Sequence, residues 1–476
     1  MPNGQNGSRA IPDTFPDKID VLVIGGGNAA MCAALSARRE GAEVLVLEGA
    51  PEHFRGGNSR HTRDVRYMHT RVNNYVTGLY PEDEFWDDLI RVTGGRTNEQ
   101  LARLTIRASE DLDEWMAEHG VKWQKPLRGT LHLARTNLFM LGGGRGMMNG
   151  YYETARRLGI HVLYDADAQD LAIQDGVFDH AVVMLNGERR EIRAKALVAA
   201  AGGFEANIAW LKEYWGDDAD NFIIRGTPYN TGTILAALLE KGALINGDPK
   251  EFHAVAVDGR APKFDGGIVT RLDSVPFGIV VNRDGQRFYD EGEDFWPKRY
   301  AIWGGLIARQ PDQVAYSIVD ADVIDKFMPS VFHPVEAPTI PELATKLGVD
   351  PDAVVAAVET YNRSIVPGSF DPGELDDCRT EGLTPPKSHW AVPIEQPPFY
   401  GYPLRPGITF TYMGVTVDER ARIIMHDGRP AANMTAAGEL MAGNVLGRGY
   451  LAGFGLTIGA VFGRIAGKEA AQHASR

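Results

Sequence analysis

Asp20-Val-Leu-Val-Ile24 runs directly into Gly25-Gly-Gly27-Asn-Ala-Ala30 and then into Met31-Cys-Ala-Ala-Leu-Ser-Ala-Arg38. A β-branched apolar run, a glycine turn and small apolar residues at helical spacing predict strand, tight turn and helix. In such a unit Gly25 permits the turn, Gly27 lets the backbone approach a pyrophosphate, and Ala30 allows close packing of helix on strand. Asn28 and Ala29 fall in the first helical turn, where free amides and the helix dipole favour phosphate. A second strand, Glu43-Val-Leu-Val-Leu47, ends at Glu48 and Gly49. Glu48 lies about 20 residues past Gly27, the place from which a carboxylate accepts ribose hydroxyls, and its charge disfavours a 2′-phosphate. Two further glycine turns follow, Arg55-Gly56-Gly57-Asn58-Ser59 and Ala201-Gly202-Gly203, the latter after the apolar strand Ala196-Leu-Val-Ala-Ala200. Loops of this kind close around an extended cofactor, which favours FAD over NAD; the bland alternative is a glycine-rich α/β domain that holds no nucleotide.

The chain has 476 residues, 44% hydrophobic and 24% charged. That length exceeds what one hydrophobic core supports and predicts two domains, or one with a large insertion. No apolar run approaches the roughly 18 to 20 residues needed to span a membrane. Lysines and arginines number 49 against 63 acids, a net charge of -14 that argues against nucleic acid and anionic membranes as partners. A local basic pocket for a small anion is compatible with it. The two cysteines, Cys32 and Cys378, have no metal-ligand spacing, which predicts a reducing compartment, no metal site and no iron-sulfur cluster in this chain. The polar stretch 1–17 reads as a flexible tail without an export signal, so a cytoplasmic location is expected.

Helical spacing marks Pro81–Thr93, Asn98–His119, Met147–Arg157 and Ala353–Ser364. Short strands broken at Asp175-Gly176 and Asn186-Gly187 predict a β-meander between Tyr164 and Gly202. The proline-rich stretches 329–341 and 367–398 read as loops. Gly142-Gly-Gly-Arg-Gly146 reads either as a cofactor contact or as a turn entering a helix.

With these motifs the sequence resembles the flavoprotein family of succinate dehydrogenase and fumarate reductase, to which 3-ketosteroid dehydrogenases and urocanate reductase also belong. The resemblance runs from about Lys18 and rests on the fingerprint, Gly56-Gly-Asn-Ser59, Ala201-Gly-Gly203, the block Gly278–Glu291, Ala436-Ala-Gly438-Glu439 and Gly459–Gly467. It implies an α/β fold: a Rossmann-like FAD-binding domain of the glutathione-reductase type (18–251 and 410–476) with an inserted α+β capping domain (252–409) that handles substrate. It also implies cofactor contacts at Gly438, Glu439, Leu451 and Gly453, with a helix N-terminus near Leu451–Leu456 facing the flavin. The family's flavin-linking histidine is replaced by Asn58, so FAD is expected to be non-covalent. Asp265–Arg271, Tyr289–Trp303, Thr380–Lys387 and Met441–Tyr450 resemble the branch of the family that oxidises tricarballylate, propane-1,2,3-tricarboxylate, to cis-aconitate. That implies electrons passing to a separate membrane-bound iron-sulfur protein, and a peripheral place at the inner face of the membrane.

Oxidation beside a carboxylate needs a hydride acceptor, a base for the α-hydrogen and cations to hold the carboxylate. By motif position the resemblance implies Arg299 as base, with Lys298 as the alternative. It gives His253 and Thr270 carboxylate hydrogen bonds; a core or hinge histidine is the competing reading of His253. Arg271 stands where fumarate reductases carry glutamate, which suits a third carboxylate. The family's second substrate histidine is absent from Thr409–Met413. Its clamp arginine aligns with Tyr450, and Arg448 stands two residues earlier. The alternatives are another alkene-forming or alkene-reducing flavoenzyme, fumarate reductase-like or ketosteroid dehydrogenase-like, and a non-catalytic flavin-binding subunit. An apolar pocket would mark a steroid enzyme, whereas Arg271, Lys298, Arg299 and Arg448 favour carboxylates.

Overall fold

The computed structural model describes residues 19–126 and 133–476; the expected tail 1–17 lies outside them. Strand β1 (Val21–Ile24), helix α1 (Asn28–Arg39) and strand β2 (Val44–Leu47) form the opening unit. Both strands are buried along their whole length, as a central parallel pair must be. They sit in a six-stranded sheet whose order runs Arg422–Ile424, Pro430–Ala436, Ala196–Ala199, β1, β2, His161–Leu163. All its neighbours pair in parallel except the first two. Both ends of the chain therefore build one sheet. The C-terminal helix Phe454–Ala474 packs along α1 because its glycines remove side chains where the backbones meet. A Cβ on Gly463 would lie 2.5 Å from the Ala29 carbonyl oxygen, and one on Gly467 2.1 Å from that of Ala33.

The meander forms as expected from Ala166–Gln174, Val177–Leu185 and Glu188–Arg193, turning at Asp175-Gly176 and Asn186-Gly187 with positive φ at all four residues. The segment 98–119 expected as one helix is two, Glu99–Arg107 and Leu112–Glu118. Ser109 breaks it: the buried hydroxyl donates to the Ile106 carbonyl and accepts the Met68 amide, so the side chain competes with the helical ladder. The third helix starts earlier than expected, at Gly143, which makes the 142–146 glycines its entry turn. Within the expected loop 329–341, Val335–Ala337 adds a short strand.

A second sheet is assembled around the long strand Phe399–Thr411. It pairs with Ile223–Ile224, Phe252–Asp258, Ala315–Val319 and Val335–Ala337, and Ile279–Asn282 continues the sheet beyond. Helices Trp296–Ala308, Ile340–Leu347 and Pro351–Arg363 cover it, with their own apolar clusters. The mixed α/β molecule thus consists of a nucleotide-binding unit and a cap, and Phe399–Thr411 runs from the cap back to the first unit.

Candidate active site

Between the two units lies a cleft of about 1600 Å³, its mouth included. At one part of it the α1 turn is built for close approach: Gly25 has φ +115°, and a Cβ there would lie 2.2 Å from the Ala200 carbonyl oxygen. The Asn28 amide donates to Ser59 Oγ at 3.0 Å, while the amides of Ala29 and Ala30 find no acceptor among the described residues. Those free donors, on a helix N-terminus, fit a pyrophosphate. Glu48 accepts the amides of Ala50 (3.1 Å) and Gly56 (2.9 Å), which orients its carboxylate at the cleft wall. Burial raises its pKa, against those hydrogen bonds. The residues fit FAD, which when bound supplies a two-electron acceptor for hydride.

Of the residues expected to hold the cofactor, Gly25, Gly27, Asn28, Ala29, Glu48, Gly49, Gly57, Asn58, Ser59, Ala201, Gly202, Gly438, Glu439 and Gly453 line the cleft. Ala30, Gly56, Gly203 and Leu451 stand behind that wall. The C-terminal helix opens at Phe454, with Gly453, Gly455 and Leu456 in the wall, so its positive end faces the cleft. Asn58 is fully engaged: its Nδ2 donates to Glu205 (2.6 Å) and to the Thr409 carbonyl (2.7 Å), and its Oδ1 accepts the Thr227 amide. Behind it Glu439 faces Glu205, both buried. Desolvation and the Glu205 charge push the Glu439 carboxyl well above its ordinary range.

Elsewhere the cleft wall is polar and cationic. His253 sits in a strand whose pairing shifts between His253 and Ala254, a bulge of the kind that re-aims side chains. Its ring stacks on Tyr450, centroids 3.7 Å apart and planes 5° from parallel, and Nδ1 is buried without a partner among the described residues. Burial, reinforced by the Arg225 charge, holds its pKa well below the ordinary value, so the imidazole is neutral. Arg271 lies 4.7 Å over the Tyr300 ring and is paired to Asp273 through Nε (2.7 Å) and Nη2 (2.8 Å). Trp296 Nε1 holds Asp273 from the other side.

The structure brings together His253, Arg271 from the segment that follows its strand, and the distant Tyr450. It does not bring Thr270, Lys298, Arg299 or Arg448 to the cleft wall. Thr270 is buried and donates to the Gly267 carbonyl at 2.8 Å. Lys298 is half-exposed, 4.0 Å from Asp294, and Arg299 is ion-paired with Glu293, its Nε buried without a partner among the described residues. Arg448 is exposed. Sequence reasoning missed Arg63, Asp64, Arg225 and Tyr300, all in the wall. Arg225 had no local signal, since it follows the two-residue strand Ile223–Ile224 and owes its place to Phe399–Thr411: its amide donates to Ile408 and its Nε to Thr409 Oγ1 at 3.0 Å.

Fold and cleft define an FAD-dependent oxidoreductase. The family model described as FAD binding domain matches residues 20–456, and the chain belongs to that family. It is 28% identical over 475 residues to the NADH:fumarate oxidoreductase of Klebsiella pneumoniae, covering 97% of this chain and 48% of that one. To the vinyl phenol reductase of Lactiplantibacillus plantarum it is 25% identical, covering 96% and 97%. The chain spans about half the length of the first two curated relatives it matches. Among solved structures it resembles the open conformation of a flavocytochrome c3 fumarate reductase, with TM-score 0.74, 23% identity and 97% and 79% of the two chains covered. A 3-ketosteroid Δ1-dehydrogenase from Sterolibacterium denitrificans gives TM-score 0.73 at 19% identity, covering 96% and 100%. At these identities the likeness is one of fold. No helix among the described residues is long and apolar enough to cross a membrane.

Proposed function

We propose that this chain oxidises a small polycarboxylate, tricarballylate, to the corresponding alkene, cis-aconitate. The substrate loses a proton from the carbon beside one carboxylate and a hydride from the next carbon, and the two electrons leave through the flavin to a separate iron-sulfur partner. The observation that supports this reading is the meeting of Arg271, His253 and Tyr450 beside the nucleotide cradle. A guanidinium and a neutral imidazole there suit carboxylate oxygens, the imidazole as hydrogen-bond donor and the guanidinium as charge. A steroid would ask for apolar walls in that place.

In this reading Arg271 is held in one orientation by Asp273 and Trp296, so it meets a carboxylate without rearranging. Arg299 is the proposed proton acceptor and Lys298 its alternative. Arg299 is ion-paired with Glu293, so service as a base requires that pair to part. FAD is held non-covalently, since Asn58 stands where a linking histidine is found in relatives. The boundaries 18–251, 252–409 and 410–476 separate the part that holds the cofactor from the part that closes over substrate.

The test is anaerobic bleaching of the bound flavin on adding tricarballylate, with succinate and a 3-ketosteroid as controls. Selective bleaching with cis-aconitate formed is the expected result; bleaching by the ketosteroid alone would sink the reading. Arg271→Met and Arg299→Met are each expected to keep FAD and lose at least about 100-fold in turnover. Normal turnover in either removes that residue from the mechanism.

A further inference from the structure

The ionic groups along the cationic wall come in pairs. Arg63 meets Asp64 at 3.3 Å and Arg271 meets Asp273, while the His61 imidazole, whose pKa burial lowers, hydrogen-bonds Asp265 at 2.6 Å. Arg225 has no carboxylate partner among the described residues, although only 6% of it is exposed. Among the described residues its one side-chain hydrogen bond runs from Nε to Thr409 Oγ1, and Nη1 is buried without a partner. The charged groups that act on it most are arginines, Arg271 and Arg63, each of them already paired with an aspartate, and Tyr300, Tyr450 and a neutral His253 stand beside it. Burial pulls its pKa down to about 10, so it stays charged at neutral pH.

A guanidinium taken out of water without a counter-ion costs several kcal/mol, and a folded protein tolerates it where an anion completes the site. The FAD pyrophosphate does not fill this role, because its donors are the α1 amides, whereas the groups around Arg225 are those of the substrate wall. Arg225 is also pre-oriented. Its backbone is pinned to Ile408 and its Nε to Thr409, which leaves the outer edge of the fork for a planar two-oxygen anion.

We propose that Arg225 is a specificity-determining residue that binds a second substrate carboxylate, distinct from the one facing Arg271 and His253, and so selects acids with two or more carboxylates over monocarboxylates. This rests on the reading of the cleft as a carboxylate-oxidising flavin site. Two arginines facing one cleft, one already paired with Asp273 and one unpaired, give different affinities to the two carboxylates; the unpaired one contributes more binding.

The test uses the FAD-loaded enzyme and the shift in the bound flavin's absorbance spectrum. Titrations with tricarballylate, succinate and propanoate are run on the wild type, Arg225→Met and Arg225→Lys. Expected are a rise of roughly 10- to 100-fold in the dissociation constants for tricarballylate and succinate in Arg225→Met, unchanged FAD content, and collapse of the preference for either over propanoate. Arg225→Lys keeps the charge but loses the fork, so its preference should fall between the two. If Arg225→Met retains the wild-type preference, or loses FAD while Arg225→Lys keeps that preference, the inference is overturned and the proposed function stands. If the wild type responds to none of the acids, the proposed function falls and takes this inference with it.

Discussion

Lys387 is fully buried in the cap, its Nζ donating to the Gly278 carbonyl at 2.5 Å beside the paired Arg287 and Glu291. Desolvation pulls its pKa down to about 8 from about 10.5, with the Glu291 charge resisting. Below pH 8 both folded and unfolded chains carry the proton, and the burial cost is constant. Between pH 8 and about 10.5 the folded chain releases it while the unfolded chain keeps it, so the wild type gains stability with rising pH. Relative to Lys387→Met the gain is expected to reach about 3 kcal/mol by pH 10.5. Denaturant unfolding of both proteins from pH 7 to 10.5 checks this, and curves that stay parallel refute it. The same logic separates Arg225 from its neighbours: a buried charge is legible once its partners are known, and composition does not reveal them.

At the scale of elements, the contact between α1 and the C-terminal helix depends on glycines spaced four apart. Gly463 and Gly467 both put open backbone against carbonyls of α1, where a methyl group has no room. Gly467→Ala is expected to cost about 1–3 kcal/mol through overpacking. Lys468→Ala, on the exposed face of the same helix, should stay within about 0.5 kcal/mol of the wild type. Equal stabilities by chemical denaturation would show that the helices can separate without penalty. The helices 99–107 and 112–118 teach the opposite lesson. Their periodicity is continuous in the sequence, and one buried serine hydroxyl, engaged by the Met68 amide, divides them.

At the scale of the molecule, the cleft is lined from both units, with Gly25 and Glu48 on one side and His253, Arg271 and Tyr300 on the other. A ligand spanning it stabilises the folded state by mass action, about 2.7 kcal/mol at a hundredfold excess over its dissociation constant. The thermal midpoint of flavin-depleted protein is therefore expected to climb with added FAD and to ignore NADP, whose 2′-phosphate would face the Glu48 carboxylate. A midpoint indifferent to FAD would contradict the cradle described here.

What the sequence determined by itself is local. The turn at Gly25–Gly27, the place of Glu48, and the meander with its Asp-Gly and Asn-Gly corners each depend on a few neighbouring residues whose backbone preferences hold in any context. Tertiary structure decided the composition of the cationic wall. His253, Arg225, Thr409 and Glu439 meet because Phe399–Thr411 carries its partners to one place: Phe410 pairs with His253, Ile408 accepts the Arg225 amide, and the Thr411 amide donates to Glu439. Pairings between residues as far as 184 positions apart leave no periodicity to read. Whether an arginine is left without a carboxylate is a property of everything around it, so Arg225 became visible only once the chain had folded.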